Sequence, residues 1–414
     1  MSDLPPSTPS DEHSNSLLDR LDPPSQQHSH DKEIGLSLEP MRSEKETSLE
    51  PRVKRTVADK WVQPHGPPVG STFGARLLGE DSDPYSHNTW DHVVLPDGFE
   101  QMAKEVLEVH RSSPVSPEKR DAFNARPAEY WNAFYSVHSA AFFKDRRWLR
   151  LEFPELIACT EPDAGPKIVL EVGCGAGNTV FPLMHHNENP NLIVHATDYS
   201  KTAVDIVRAN PMYPIPPHGI GRMHANVWDI TSTPGAGPSR SQNGDQTFPP
   251  SVESEESEHG RRTDQTWVLP KGVEPGSVDV ITVIYVLSAL HPTEWRQAIH
   301  NLYTALKPGG LLLIRDYGRH DLAQLRIKKD RLLDPDTPNL YIRGDGTRVY
   351  FFTKEELESM VLAPPQGGTG KGNMFEIEQL GEDRRLLINR KERLKMYRIW
   401  MQVKARKLSP SAPS

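Results

Sequence analysis

Cysteine is almost missing from this chain: Cys159 and Cys174 are the only two in 414 residues. At most one bridge can form, which excludes a disulfide-framed secreted fold and leads us to expect a reduced setting, cytoplasmic or nuclear. Long apolar runs are missing as well. The longest, Val278 to Leu290, is too short to span a bilayer and carries Asp279. The N-terminus shows neither an apolar signal core nor an arginine-rich amphipathic presequence, so a soluble protein with no membrane partner is expected. No spacing of His, Cys, Asp and Glu suits a metal, and no nucleophile triad is visible, so neither chemistry is expected. Hydrophobic residues make up only 36% against 38 prolines, which leaves a sizeable part of the chain unable to join a core.

Positive charge is scarce overall but not locally. The net charge is −8, yet residues 1–50 hold eleven acids against four bases and residues 233–266 six against three. Without these two segments the balance turns slightly positive. Residues 384–407 then stand out with ten Lys or Arg against one Glu, a stripe compatible with RNA or with a solvated face. We expect a disordered acidic, Pro/Ser-rich tail over 1–58 and an N-terminal extension over 59–150. The main domain is expected over 151–408, interrupted by a disordered insertion at 233–266, with a short tail at 409–414.

What the chain does have is a glycine turn. Ile168 to Val172 are apolar or β-branched except Glu171, as in a strand buried on both faces, and Gly173, Gly175 and Gly177 follow. Strand, glycine turn and helix bring bare backbone N–H groups close to a ligand. A second apolar run, Leu192 to Thr197, ends in Asp198, placed to accept from both hydroxyls of an adenosine ribose. Asp229 follows the third run, positioned to hold an adenine amino group. With Glu171, Gly173 and Gly175, these acids resemble the series of class I S-adenosylmethionine-dependent methyltransferases, so S-adenosyl-L-methionine is the expected cofactor.

The rest of the pattern alternates. Strands are expected at 168–172, 192–197, 222–228, 278–287 and 311–316, with helices at 178–186, 200–209 and 292–306 between them. Phe99 to Val109, Ala128 to Val137 and Asp321 to Leu333 read as helical, residues 61–91 as an irregular arm, and 375–380 with 397–403 as a closing antiparallel pair. The expected fold is α/β: a Rossmann-like, doubly wound, seven-stranded and mostly parallel sheet with an N-terminal extension.

Six separated stretches are more specific. They are Phe142–Leu149, Val286–Pro292, Arg315–Gly318, Tyr341–Arg343, Asp345–Phe352 and Asn389–Glu392. In this order they resemble the animal and fungal methyltransferase-like enzymes that make 3-methylcytidine in the anticodon loop of tRNA. The match covers most of residues 72–408. Residues 73–93, with Phe73 to Arg76 and His87 to Asp91, are similar to the threonine-tRNA branch; Arg147 departs by standing where relatives often carry His. The resemblance implies that Trp131 and Tyr135, one helical turn apart, close over the cofactor, and that Gly173, Asp198, Asp229, Ile230 and Ile284 line its site. Ile230 and Ile284 are suited to sandwich adenine. A helper protein such as an aminoacyl-tRNA synthetase is a further partner to expect.

Methyl transfer from a sulfonium asks mainly for alignment and electrostatics. Cytosine N3 already carries a lone pair, and the base becomes cationic as the bond forms. Asp316, at the end of the fifth strand, is the candidate to stabilise that charge, against a capping or ion-pair role with Arg315 or Arg348. Tyr317 or Phe352 can stack on the unpaired base. Lys144, Arg146, Arg147, Arg319, Arg343, Arg348, Arg390 and Lys391 are candidate phosphate contacts, and His291 at most lines the pocket. Two other readings stay open: methylation of a small molecule or protein, and a catalytically silent RNA-binding subunit.

Overall fold

Apolar, β-branched segments form the centre of a large sheet in the computed structural model, which describes residues 76–79, 81–138, 145–146, 148–234, 268–364 and 373–409. In chain order its strands are β1 (Thr89–Asp91), β2 (Lys167–Val172), β3 (Leu192–Asp198), β4 (Arg222–Val227), β5 (Val278–Ile284), β6 (Leu306–Tyr317), β10 (Phe375–Asn389) and β11 (Leu394–Lys407). All seven positions of β5 are buried, each large aliphatic there contributing about 1.5–3 kcal/mol. The order across the sheet is β1-β10-β11-β6-β5-β2-β3-β4. Neighbours from β6 to β4 are parallel, and β11, β10 and β1 add antiparallel to that edge.

Between β1 and β2 run the helices α1 (Phe99–Arg111), α2 (Pro117–Ala125) and α3 (Pro127–His138), followed by two short turns of helix at Leu149–Glu152 and Pro154–Ala158. In α1 the buried residues are Phe99, Ala103, Leu107 and His110, one face at helical spacing. Helices α4 (Val180–His185), α5 (Lys201–Ala209) and α6 (Trp295–Ala305) join parallel strands, and α7 (Lys354–Leu362) follows later. Ser200 caps α5 by accepting from the Ala203 N–H. The chain winds from β2 outward through β3 and β4, then returns to place β5 on the other flank of β2. Strand order therefore reverses between β2 and β5, and ligands bind outside the carboxyl ends of strands at such a point.

The doubly wound plan is the expected one, with differences. The sheet has eight strands, because Thr89–Asp91 pair with Arg385–Leu387 of β10 inside the stretch expected to be an irregular arm. Residues 321–333 are not a helix. Only Leu322–Leu325 is helical, and Leu332–Asp334 forms β7 of a second sheet with β8 (Thr337–Ile342) and β9 (Arg348–Tyr350). Leu332, Tyr341, Val349 and Phe351 bury together there, so packing onto Leu107 outweighs local propensity. The strand expected to end at Leu287 stops at Ile284, because Tyr285 turns left-handed at φ 60°. Residues 1–58 and 235–266 lie outside the described residues. Among the described residues no helix is long and apolar enough to cross a membrane.

Candidate active site

The carboxyl end of β2 delivers the glycine turn to the point where strand order reverses. Gly173, Gly175 and Gly177 all have positive φ, at 66°, 53° and 90°, where a side chain is strained. Space forbids one too: a Cβ on Gly173 would lie 2.3 Å from Val286 Cγ2, and one on Gly175 2.6 Å from the Tyr135 hydroxyl. The turn is thus walled by the residue after Tyr285 on one side and by α3 on the other.

Helix α3 is fixed at this wall by Asn132, whose Oδ1 accepts from Ser200 Oγ at 2.7 Å and from the Thr202 N–H at 3.3 Å. Trp131 stacks on Tyr135 at 6.2 Å and 28°, and the Tyr135 ring is buried. Burial, with Asp198 nearby, pushes the Tyr135 phenol up.

Asp198 ends β3 facing the turn. Its Oδ2 accepts from the Gly175 N–H and its Oδ1 from the Ser200 N–H, both at 2.8 Å. Burial raises its carboxyl to about 6 against those bonds. Glu171 is more deeply set and raised to about 7 by burial, although Arg146 opposes the shift. Its Oε1 lies 3.5 Å from Arg146 Nη1, which also donates to Thr179 Oγ1 at 2.8 Å. Glu171 Oε2 is buried without a partner. Asp229 Oδ1 accepts from the Thr231 N–H and hydroxyl at 2.8 and 2.6 Å.

At the ends of β5 and β6 an aromatic pair stands beside this turn. Tyr285 is a bulky residue in left-handed conformation, and its ring packs on Tyr317 at 4.9 Å and 36°. The Arg343 guanidinium lies 5.4 Å from the Tyr317 ring centre. Arg315 is held between Trp148 and Trp400, at 4.9 and 5.0 Å. It also pairs with Asp383 at 2.5 Å.

Several expected roles do not survive this geometry. Asp316 has no exposed surface; its Oδ2 accepts from the Ser288 N–H at 3.0 Å and its Oδ1 from the Tyr317 N–H at 2.9 Å. Burial raises it to about 6, and it pins the 286–289 turn instead of reaching a base. Neither Arg315 nor Arg348 is its ion-pair partner. Ile284 packs with Val280 in one core cluster and Ile230 with Ile281 and Val283 in the other. Ile284 closes β5, Ile230 lies beyond the end of β4, and both are buried. Phe352 is fully buried and unavailable for stacking.

The basic residues divide. Arg146 serves Glu171. Arg319 donates to Phe351 O and to both Glu356 oxygens, at 3.0, 2.9 and 3.0 Å. Arg348 is buried against Glu294. These three are structural ion pairs. Arg390 and Lys391 are exposed at the β10–β11 turn, Arg343 is at the aromatic pair, and Lys144 and Arg147 lie outside the described residues. His291 caps the 292–294 turn together with Glu294. Sequence reasoning missed Asn132 and Tyr285; the first shares a helix with Trp131 and Tyr135, while a left-handed backbone leaves no trace in composition.

A cleft of about 610 Å³ is lined by Val93, Arg319, His320, Lys354, Arg384 and Ile399; no residue of the glycine turn borders it. No group of three or more His, Cys, Asp or Glu able to hold a metal occurs among the described residues.

A methyltransferase-domain family matches residues 145–363. The tRNA N(3)-methylcytidine methyltransferase trm140 of Schizosaccharomyces pombe is 42% identical over 339 residues, covering 82% of this chain and 93% of that protein. The chain belongs to the tRNA N(3)-methylcytidine methyltransferase family. A zebrafish member, METTL2, is 38% identical over 81% of this chain and 89% of its own length. The tRNA(Thr) (cytosine(32)-N(3))-methyltransferase of Saccharomyces cerevisiae is 41% identical over 80% of this chain, which spans 45% of that longer relative.

As a family member the chain is an enzyme, and S-adenosylmethionine is its methyl donor. The residues in place fit that molecule. The glycine turn stands at the carboxyl end of β2, Asp198 ends the strand beside it, and the orphaned Glu171 oxygen suits an ammonium group.

Proposed function

We propose that this enzyme methylates N3 of a cytidine in the anticodon loop of tRNA, most specifically threonine tRNA. The observation that carries the reading is kinship at 32–42% identity over about four-fifths of the chain with enzymes named for this reaction. The aligned share includes the methyltransferase domain and extends beyond it.

Bound S-adenosylmethionine supplies an electrophilic methyl group. Within this reading Asp198 takes the ribose hydroxyls, Asp229 the adenine amino group through its second oxygen, and Glu171 the amino-acid end. Trp131 and Tyr135 cover the donor from α3. The target must be unpaired or flipped so that its Watson–Crick edge is free, and Tyr317 and Arg343 are placed to receive it. Arg390 and Lys391 contact phosphates further along the RNA. The mixed charge of the surface suits a helper protein that presents the tRNA, and the setting we propose is the cytoplasm.

The test is direct. Incubated with S-adenosylmethionine and tRNA from a strain lacking the gene, the enzyme should form 3-methylcytidine at one anticodon-loop position, read by nucleoside mass spectrometry. Uridine at that position should abolish transfer, because its N3 carries a proton. Unchanged 3-methylcytidine in every tRNA of the deletion strain, with no paralogue present, would sink the assignment.

A further inference from the structure

Building on the reaction just proposed, we propose that Tyr285 is a catalytic residue: its ring face meets the target cytosine and stabilises the positive charge that the base acquires during methylation. In this step the N3 lone pair forms the N–CH3 bond while the S–CH3 bond breaks and leaves its electron pair on sulfur. The sulfonium charge disappears, an equal charge appears on the cytosine ring, and no proton moves. An enzyme for this step gains by placing a group beside the ring that prefers the cation to the neutral base.

The acids nearest the site are not free to do so. Asp316 is fully buried on two backbone amides, Glu171 lies in the strand behind the turn against Arg146, and Asp198 holds the Gly175 and Ser200 amides. An aromatic face attracts cations and also stacks on a base. Tyr285 is positioned to offer one. The next residue, Val286, lies directly against Gly173, and the Tyr285 ring packs on Tyr317.

Its conformation points the same way. A left-handed φ of 60° at a bulky residue is strained, and such strain persists where the surroundings over-determine it. Here they do. The Tyr285 N–H donates to Arg315 O at 2.8 Å, and its ring rests on Tyr317. Each arginine whose charge reaches it has a carboxylate beside it: Arg315 pairs with Asp383, Arg398 with Asp321 and Arg146 with Glu171. Tyr317 already carries Arg343, whereas among the described residues only Tyr317 packs a ring on Tyr285.

The test uses the full chain with residue 285 replaced by phenylalanine and by its mono-, di- and trifluorinated analogues, which keep the ring's shape and drain its face. Relative to Tyr285→Phe, kcat should fall stepwise, by about tenfold across the series, with little change in KM for tRNA. Affinity for tRNA already carrying 3-methylcytidine should fall in parallel, and affinity for the unmodified tRNA should not. Tyr285→Leu, checked for an intact thermal transition, should lose as much kcat as the trifluorinated protein. A flat fluorine series in an active enzyme overturns this role alone. A wild-type protein that methylates no tRNA overturns the parent reading, and this role with it.

Discussion

Two buried carboxylates at the glycine turn do different work, and each can be isolated. If Asp198 holds the ribose, Asp198→Ala removes two charge-assisted hydrogen bonds, each contributing about 1.5–3 kcal/mol. Calorimetric binding of S-adenosylmethionine should become undetectable while the circular dichroism spectrum stays native. The melting temperature should fall somewhat, because the Gly175 and Ser200 amides lose their acceptor. Wild-type affinity in that protein would remove the basis for the donor site. Glu171 has its carboxyl raised from 4.5 to about 7, by burial first and against the pull of Arg146. The folded state therefore favours the neutral acid. Its contribution to stability is complete below about pH 4.5 and is lost as pH rises through about 7. Glu171→Gln cannot suffer that loss, so its melting temperature relative to wild type should climb between these limits and level off above them. A difference independent of pH would show that Glu171 stays charged in the fold.

Among the elements, the β10–β11 hairpin and the β6–β9 region carry arginines of opposite kinds. Replacing Arg390 and Lys391 together with alanine should weaken tRNA binding and reduce its salt dependence by about 1 to 2 in logarithmic slope. Donor affinity and melting temperature should not move. Arg319→Ala should do the reverse, lowering the melting temperature through loss of its Glu356 and Phe351 bonds and leaving the salt slope intact. An altered slope would return Arg319 to the RNA surface. This contrast marks the reach of sequence reading. Periodicity identified β2, β3, β5 and the helices between them, because strands buried on both faces need unbroken apolar runs. It could not separate Arg390 from Arg319, since pairing with Glu356 depends on two segments meeting in space. The 321–333 stretch failed for a related reason: its strand is set by packing on Tyr341 and Leu107, not by its own composition. Tyr285 was invisible because its importance lies in a backbone angle.

For the molecule as a whole, the two acidic segments are not expected to join the core. Their composition is too polar to add to it. Deleting residues 1–58, or replacing 235–266 with a short Gly-Ser link, should leave the melting temperature nearly unchanged, and protease should cut within both segments first. A large drop in melting temperature would redraw the domain boundary. The edge of the sheet carries a different implication. Tyr85 donates its hydroxyl hydrogen to Arg393 O, 308 positions later, and among the described residues β1 finds its only partner strand in β10. During synthesis β1 leaves the ribosome first and the strands around the glycine turn follow, yet β1 must wait for β10, and β6 stays uncovered until β11 arrives. A nascent chain halted before residue 375 would hold every strand around the glycine turn, yet expose β6 as an open template for other chains. The antiparallel edge is therefore a late step of assembly, closing the sheet only once residues 375–407 have been made.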